Sequence, residues 1–300
     1  MRLINTKTLK ITEFVGHQTP AYGILSHTWE AGEATFRDAE RLSVGSGQGF
    51  DKIRKVCEIA RRDKLDFVWA DTCCIDKSSS SELTEAINSM FQWYASAQVC
   101  YAYLADLKPT NHNRSIGLCR WFTRGWTLQE LIAPRAVRFY DQDWQYRGSR
   151  QDLSLFIQKA TRIQENVLRS SINGELLPMI PVARRMSWAA GRETTRPEDI
   201  AYCLLGIFNV NMPLIYGEGA RAFVRLQEEI IRQTSDLSIF LWKAKPGDQR
   251  MYRGILAESP EEFATASTTK RLAQYGIDSP EYAITNKGVR IHCPLVSQGQ

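Results

Sequence analysis

The sequence predicts an α/β protein: a mostly parallel sheet with helices on both faces over residues 1–150, a helical region over 151–235 and a β-containing segment over 236–300. Three observations predict it. Short apolar runs alternate with amphipathic runs through the first half, and such an alternation with short loops implies right-handed crossovers in a parallel sheet. Helical periodicity takes over from residue 152. Beyond Ser235 the chain becomes strand-like again.

The elements follow in order. MRLINTKTLKITEF (1–14) alternates in the manner of a strand, and AYGILSHTW (21–29) is a short apolar strand ending in polar residues. GSGQGF (45–50) is a loop without the spacing of either phosphate-binding glycine motif, so it receives no cofactor role. FDKIRKVCEIARRDKL (50–65) sets Ile53, Val56, Cys57 and Ala60 on one helical face. DFVWADTCCID (66–76) reads as a buried strand running into a loop, and ELTEAINSMFQWYASA (82–97) as a helix with Leu83, Ile87, Met90, Phe91 and Tyr94 inward. VCYAYLADL (99–107) is the next strand, CRWFTRGWTLQELIAPR (119–135) a helix, and AVRFYDQD (136–143) a fourth strand. Helices then read over 152–163, 184–192, 197–208 and 219–233, the third opened by Pro197 with Glu198 and Asp199 behind it. LSIFLW (237–242), YRGILA (252–257) and YAITNKGVRIHCPLV (282–296) read as strands. The chain stops shortly after the last of them, as a truncated C-terminal segment would.

Composition narrows the function classes. With 43% hydrophobic and 24% charged residues among 300, the chain is globular rather than disordered. The net charge of +5 is scattered as isolated pairs such as Arg61-Arg62 and Arg184-Arg185, so no nucleic-acid partner is expected. Seven cysteines without a C-x-x-C pair, two of them adjacent (Cys73 and Cys74), suit buried free thiols in a reducing compartment. Four scattered histidines make no metal site. No signal-peptide apolar region is present, and the longest uncharged run (200–217) is broken by Asn209, Asn211 and Pro213. A cytoplasmic protein without a membrane span is the expectation.

In a parallel sheet, ligands gather beyond the carboxyl ends of the strands. Ser26, His27 and Trp29 follow the first such strand, and Asp71 the second, so these four are candidate substrate-binding residues. His27 could equally be a hydrogen-bonded strand-end residue, and Asp71 a loop cap. Glu130 lies one helical turn after Trp126. Thr127-Leu128-Gln129-Glu130 also fits a capping box, which explains the spacing without any chemistry.

YGILSHTW, the run from WADTCCIDK to YAYLADL, and CRWFTRGWTLQELIAPRAVRFYD resemble the signature blocks of the fungal heterokaryon-incompatibility (HET) domain. The resemblance is long and ordered, over residues 20 to 145. Ala70 departs from it slightly, standing where members carry isoleucine or valine. Later blocks, from MSWAAGRETT through LQEEI and YAITNKGVRI, resemble the extension that many members carry. The resemblance implies allorecognition and regulated cell death, homo-oligomerisation on activation and an upstream sensor protein. HET domains are in turn similar to TIR domains, which implies a flavodoxin-like sheet. In NAD-cleaving TIR proteins a tryptophan-cysteine-x-x-glutamate-leucine segment carries a catalytic glutamate. Trp126, Glu130 and Leu131 stand at the same offsets here, with Thr127 in place of the cysteine.

That likeness implies that Glu130 is catalytic, Trp126 lines the pocket, and NAD+ is substrate rather than cofactor. The chemistry suits a single carboxylate. The nicotinamide of NAD+ leaves from a cationic state without protonation, and an anion beside the ribose stabilises the oxocarbenium-like transition state. Trp29 or Trp126 could stack on the cationic ring. A non-enzymatic signalling module that oligomerises and recruits partners is the alternative.

Overall fold

The computed structural model describes residues 1–170, 176–269, 282–285 and 288–291. The chain divides into two compact units, Met1–Glu175 and Leu176–Gln300.

Seven strands build the first unit's sheet: β1 (Arg2–Asn5), β2 (Ile11–Glu13), β3 (Tyr22–His27), β4 (Phe67–Trp69), β5 (Val99–Tyr103), β6 (Val137–Tyr140) and β7 (Tyr146–Ser149). Their order across the sheet is β2-β1-β4-β3-β5-β6-β7. The four inner strands β4, β3, β5 and β6 are parallel, β1 and β7 run antiparallel to them at the two sides, and β2 pairs antiparallel with β1 at the outer edge. The sequence expectation of a mostly parallel sheet holds, with antiparallel pairing confined to the two edges. The N-terminal segment is a hairpin rather than one strand. Asn5 turns it, accepting from the amides of Lys7 and Thr8 at 3.0 Å each, and Leu9 closes the turn at a φ of 57°.

All six residues of β3 are buried, as its position at the centre of a sheet covered on both faces requires. Gly23 has no substitute there: a Cβ would stand 2.6 Å from the Tyr101 ring. One face carries α1 (Gln48–Arg62), with Lys52 over the Tyr103 ring and Asp63 accepting from the Tyr101 hydroxyl at 2.7 Å. The other face carries α3 (Ser80–Ser96), which follows the single turn α2 (Asp71–Cys74), and then α4 (Thr127–Ile132). There Tyr22 donates to the Trp93 carbonyl at 2.6 Å, and Trp69 packs edge-on to Trp93 and Tyr94. The helix side changes between β3 and β5, so the topological switch point lies at the carboxyl ends of those two strands.

Residues 119–135 do not form one helix. Arg120–Thr123 is a 3₁₀ turn, and α4 starts at Thr127 with Trp126 as its N-cap residue. The Thr127 hydroxyl ties the two pieces together through the carbonyls of Trp121 and Arg124. Helices α5 (Ser154–Thr161) and α6 (Glu165–Arg169) complete the unit.

In the second unit, α7 (Val182–Ser187), α8 (Asp199–Tyr202), α9 (Leu205–Phe208) and α10 (Arg221–Ile231) are shorter than the sequence periodicity predicts. Asn209 ends α9 in the left-handed conformation at a φ of 54°. LSIFLW is a 3₁₀ turn rather than a strand, because Asp236 caps it through the Ser238 amide. YRGILA forms no strand either; the Gln227 side chain instead pairs with both backbone groups of Ala257 at 2.7 and 3.0 Å. A hairpin, β8 (Tyr282–Thr285) with β9 (Gly288–Ile291), lies within the predicted last strand, whose remaining residues, Cys293 included, fall outside the described residues. Among the described residues, no helix is long and apolar enough to cross a membrane.

Candidate functional site

The pleat of β3 decides the site. Successive side chains of a strand point to opposite faces, so Ser26 and His27 cannot share one chamber. Ser26 faces α4 and His27 faces α1, and each anchors its own cluster.

On the α4 face, the fully buried Ser26 hydroxyl donates to Glu130 Oε2 at 2.5 Å. It accepts in turn from Trp121 Nε1 at 2.8 Å. A hydroxyl has one hydrogen, and the indole's approach directs it at the carboxylate. Glu130 is only 7% exposed. Tyr94 and Cys100 border it: burial pushes both hydroxyl and thiol well above their ordinary pKa values, and the Glu130 charge adds to the rise. Tyr94 donates to the Leu25 carbonyl at 3.1 Å. Arg150, fully buried, closes the far end of α4, donating to the carbonyls of Leu131 and Ser170 at 2.7 Å and of Ile132 and Arg135 at 3.3 Å. Burial lowers its pKa to about 10, which leaves it charged at neutral pH.

The capping box does not form. Trp126 occupies the N-cap position in the αR conformation, and no side chain caps the helix. Thr127 stands inside the helix with its hydroxyl donating to the carbonyls of Trp121 and Arg124, and Glu130 accepts from Ser26.

On the α1 face, Lys52 Nζ lies 2.9 Å from His27 Nδ1 and 2.6 Å from Glu33 Oε1, all three groups being nearly inaccessible. An ammonium has only hydrogens to give, so Nδ1 accepts and the ring hydrogen sits on Nε2. Nε2 faces Asp71 Oδ1 at 3.4 Å, and Trp29 Nε1 donates to the other Asp71 oxygen at 2.8 Å. Burial would raise the Asp71 pKa, but the Lys77 charge, the facing His27 ring and the hydrogen bond from Trp29 hold it below the usual value. The Lys77 ammonium lies 3.2 Å above the Trp29 ring.

The structure therefore joins Ser26 to Glu130, and His27 to Trp29 and Asp71, as two clusters rather than one. Trp126 is half-buried at the start of α4, and the indole bound to Ser26 is Trp121. Trp121, Tyr94, Glu33, Lys52 and Lys77 were missed from the sequence. Lys52 left one signal: it precedes Ile53 and stands one turn before Val56, on the edge of the apolar face of α1. Cys57, Cys73, Cys74, Cys100, Cys119 and Cys203 are buried free thiols. Among the described residues no group of three metal-ligating side chains is placed to hold an ion. A groove of about 780 Å³ runs beside Lys52, Tyr103 and Trp144, and a pocket of about 470 Å³ opens between Trp29 and Lys77. Glu130 lines neither.

Comparison with known proteins adds the family. The model described as heterokaryon incompatibility protein (HET) matches residues 22–116, a span holding Ser26, His27, Trp29 and Asp71 but ending before Trp121 and Glu130. A domain of unknown function (DUF8212) matches residues 221–255. The vegetative incompatibility protein HET-E-1 of Podospora anserina is 46% identical over 222 residues, which is 70% of this chain. The chain spans 16% of that relative's length. No solved structure matches the chain significantly. With the HET model seated on the central strands and this relative nearly half identical, the chain belongs to the fungal heterokaryon-incompatibility (HET) domain family.

Proposed function

We propose that this chain serves vegetative incompatibility as a cell-death effector, and that it acts by hydrolysing NAD+ to nicotinamide and an ADP-ribose product. Glu130 is the catalytic carboxylate of this proposal. The observation that carries it is a buried glutamate, held 2.5 Å from Ser26 Oγ at the carboxyl end of the central strand. The TIR-like reading belongs to the same proposal. It is supported by the order of the parallel strands, β4-β3-β5-β6, which is 2-1-3-4 in chain order, and by a glutamate on the helix after the third of them.

In this mechanism Ser26, fixed by Trp121, holds the carboxylate in one orientation. The bond from ribose C1′ to nicotinamide breaks with its electron pair going to the ring nitrogen, which is thereby neutralised. Water attacks C1′ and gives up a proton, while the carboxylate stabilises the sugar cation between the two events. NAD+ is the substrate, and a homo-oligomer formed on activation by an upstream sensor is the working state.

The enclosure of Glu130 favours a second reading, a non-enzymatic module that oligomerises and recruits partners. Expressing the chain in fungal cells separates the two. The enzyme reading expects cell death preceded by NAD+ loss, both abolished in Glu130→Gln; death at undiminished NAD+ would leave the signalling module.

A further inference from the structure

The pocket of about 470 Å³ at the carboxyl ends of β3 and β4 falls within the roughly 300–1,000 Å³ typical of small-molecule sites, and it has its own chemistry. Its walls come from the loop after β3 (Trp29, Glu33, Arg37) and from the segment after β4 (Thr72, Asp76, Lys77). The two acids are already engaged. Glu33 binds Lys52 at 2.6 Å and the Glu30 amide at 3.0 Å, and Asp76 binds the Ser78 amide and hydroxyl at 2.9 and 2.6 Å. The two cations have no acid in direct contact: among the described residues, Arg37 and Lys77 make neither a hydrogen bond nor an ion pair, and Lys77, whose charge acts on Asp71 from a distance, rests on the Trp29 ring. Thr72, at 3% exposed, is the buried one of three hydroxyl residues in the lining, with Thr35 and Ser78, and its hydroxyl has no hydrogen-bond partner. Trp29 is 50% exposed, with its Nε1 tied to Asp71 so that the ring is held in place.

Two cations without a directly bonded acid, an orphaned buried hydroxyl and a fixed exposed indole are the parts that recognise a phosphate attached to a planar base. We propose that this pocket binds a nucleoside 5′-monophosphate group, with its base on Trp29 and its phosphate between Arg37 and Lys77, near the Thr72 hydroxyl. The base takes the face of Trp29 that Lys77 covers in this structure, and the displaced ammonium turns to the phosphate. The site stands apart from Glu130, so it does not need the hydrolase reading to hold. Two sources share this chemistry, a free mononucleotide and the AMP half of a dinucleotide.

Calorimetric titration of the purified chain with AMP, adenosine and ADP-ribose tests the proposal. Saturable AMP binding is expected, with adenosine at least tenfold weaker. Arg37→Ala and Lys77→Met, both at exposed positions, should weaken AMP at least tenfold. Thr72→Val, which keeps the shape, should weaken it several-fold without lowering the melting temperature of the ligand-free protein. Glu130→Gln should bind AMP as the parent does, whatever becomes of NAD+ cleavage. ADP-ribose binding tighter than AMP identifies the dinucleotide as the source, and equal or weaker binding the free mononucleotide. No saturable AMP binding, equal binding of adenosine, or undiminished binding by both cation variants would overturn it.

Discussion

Arg150 is the fastening of the helix that carries Glu130, and replacing it with methionine tests that reading. The side chain is fully buried and donates to four carbonyls, two at 2.7 Å and two at 3.3 Å. Leu131 and Ile132 are in the last turn of α4, whose carbonyls have no partner within the helix. Hydrogen bonds from a charged donor contribute about 2 kcal/mol each, so the two short ones account for about 4 kcal/mol. Those figures are net of the donor's desolvation, and the buried methionine side chain recovers about 1 kcal/mol of the loss. Methionine restores much of the apolar bulk. The expected net destabilisation is about 3 kcal/mol, equivalent to a fall in melting temperature of roughly 6–12 °C for a chain of this size. Thermal unfolding followed by circular dichroism measures it. A fall under about 2 °C would refute the reasoning, because the four bonds would then do no more than balance the burial of the charge. Because Arg150 acts at the end of α4 rather than at the carboxylate, the variant should also lose NAD+ cleavage at temperatures where it remains folded.

Three further outcomes follow from named contacts. Lys52→Met strands the buried Glu33 carboxylate and should destabilise by about 3 kcal/mol, while the double variant with Glu33→Gln should recover at least half of that in urea unfolding. Asp71 has a folded pKa below the ordinary aspartate value of 3.8, so its stabilisation is complete above that pH and is lost as pH falls through the lower folded value. The melting-temperature gap between the parent and Asp71→Asn should accordingly be constant from pH 5 to 7, in the range where the carboxylate is charged in both states, and close below about pH 4; a gap that widens on acidification would contradict the assigned partners. Gly49→Ala drives a Cβ into the backbone of Gly32 and Ala34 at the start of α1, where neither side can yield cheaply, and should cost about 2 kcal/mol in the same melts.

The parts of the fold legible in the sequence are those with one dominant signal. The apolar run YGILSH had to be a strand buried on both faces, and the 3.6-residue spacing of Ile53, Val56, Cys57 and Ala60 had to be a helix against it. Edge pairing was not legible, because Asn5 makes its turn through side-chain bonds to Lys7 and Thr8 that hydropathy does not register. Residues 119–135 misled for a related reason: Thr127 matches a capping box by spacing, yet its hydroxyl bonds backward to carbonyls. In the site, the strand-end rule selected Ser26, His27, Trp29 and Asp71 correctly as neighbours of the sheet's carboxyl end. It did not divide them between faces, although the alternation of adjacent residues along β3 contained that information. Trp121 read as core, since nothing local shows that its Nε1 reaches across 95 positions to Ser26. Lys52 drew no reading because its partners, Glu33 and His27, come from separate segments.

The central claim is that the Ser26-bound carboxylate of Glu130 cleaves NAD+. Purified chain incubated with NAD+, with nicotinamide release followed by chromatography, tests it most directly beside Glu130→Gln. The substitution keeps an acceptor for Ser26 Oγ, so a neutral hydrogen bond replaces a charged one and the fold should lose no more than about 1 kcal/mol. The account predicts steady nicotinamide release by the parent and a rate at least about 10²-fold lower in the folded variant, the loss expected when a group that stabilises transition-state charge is removed. Equal release from both proteins, or none from the parent even when assembled into oligomers, would contradict it.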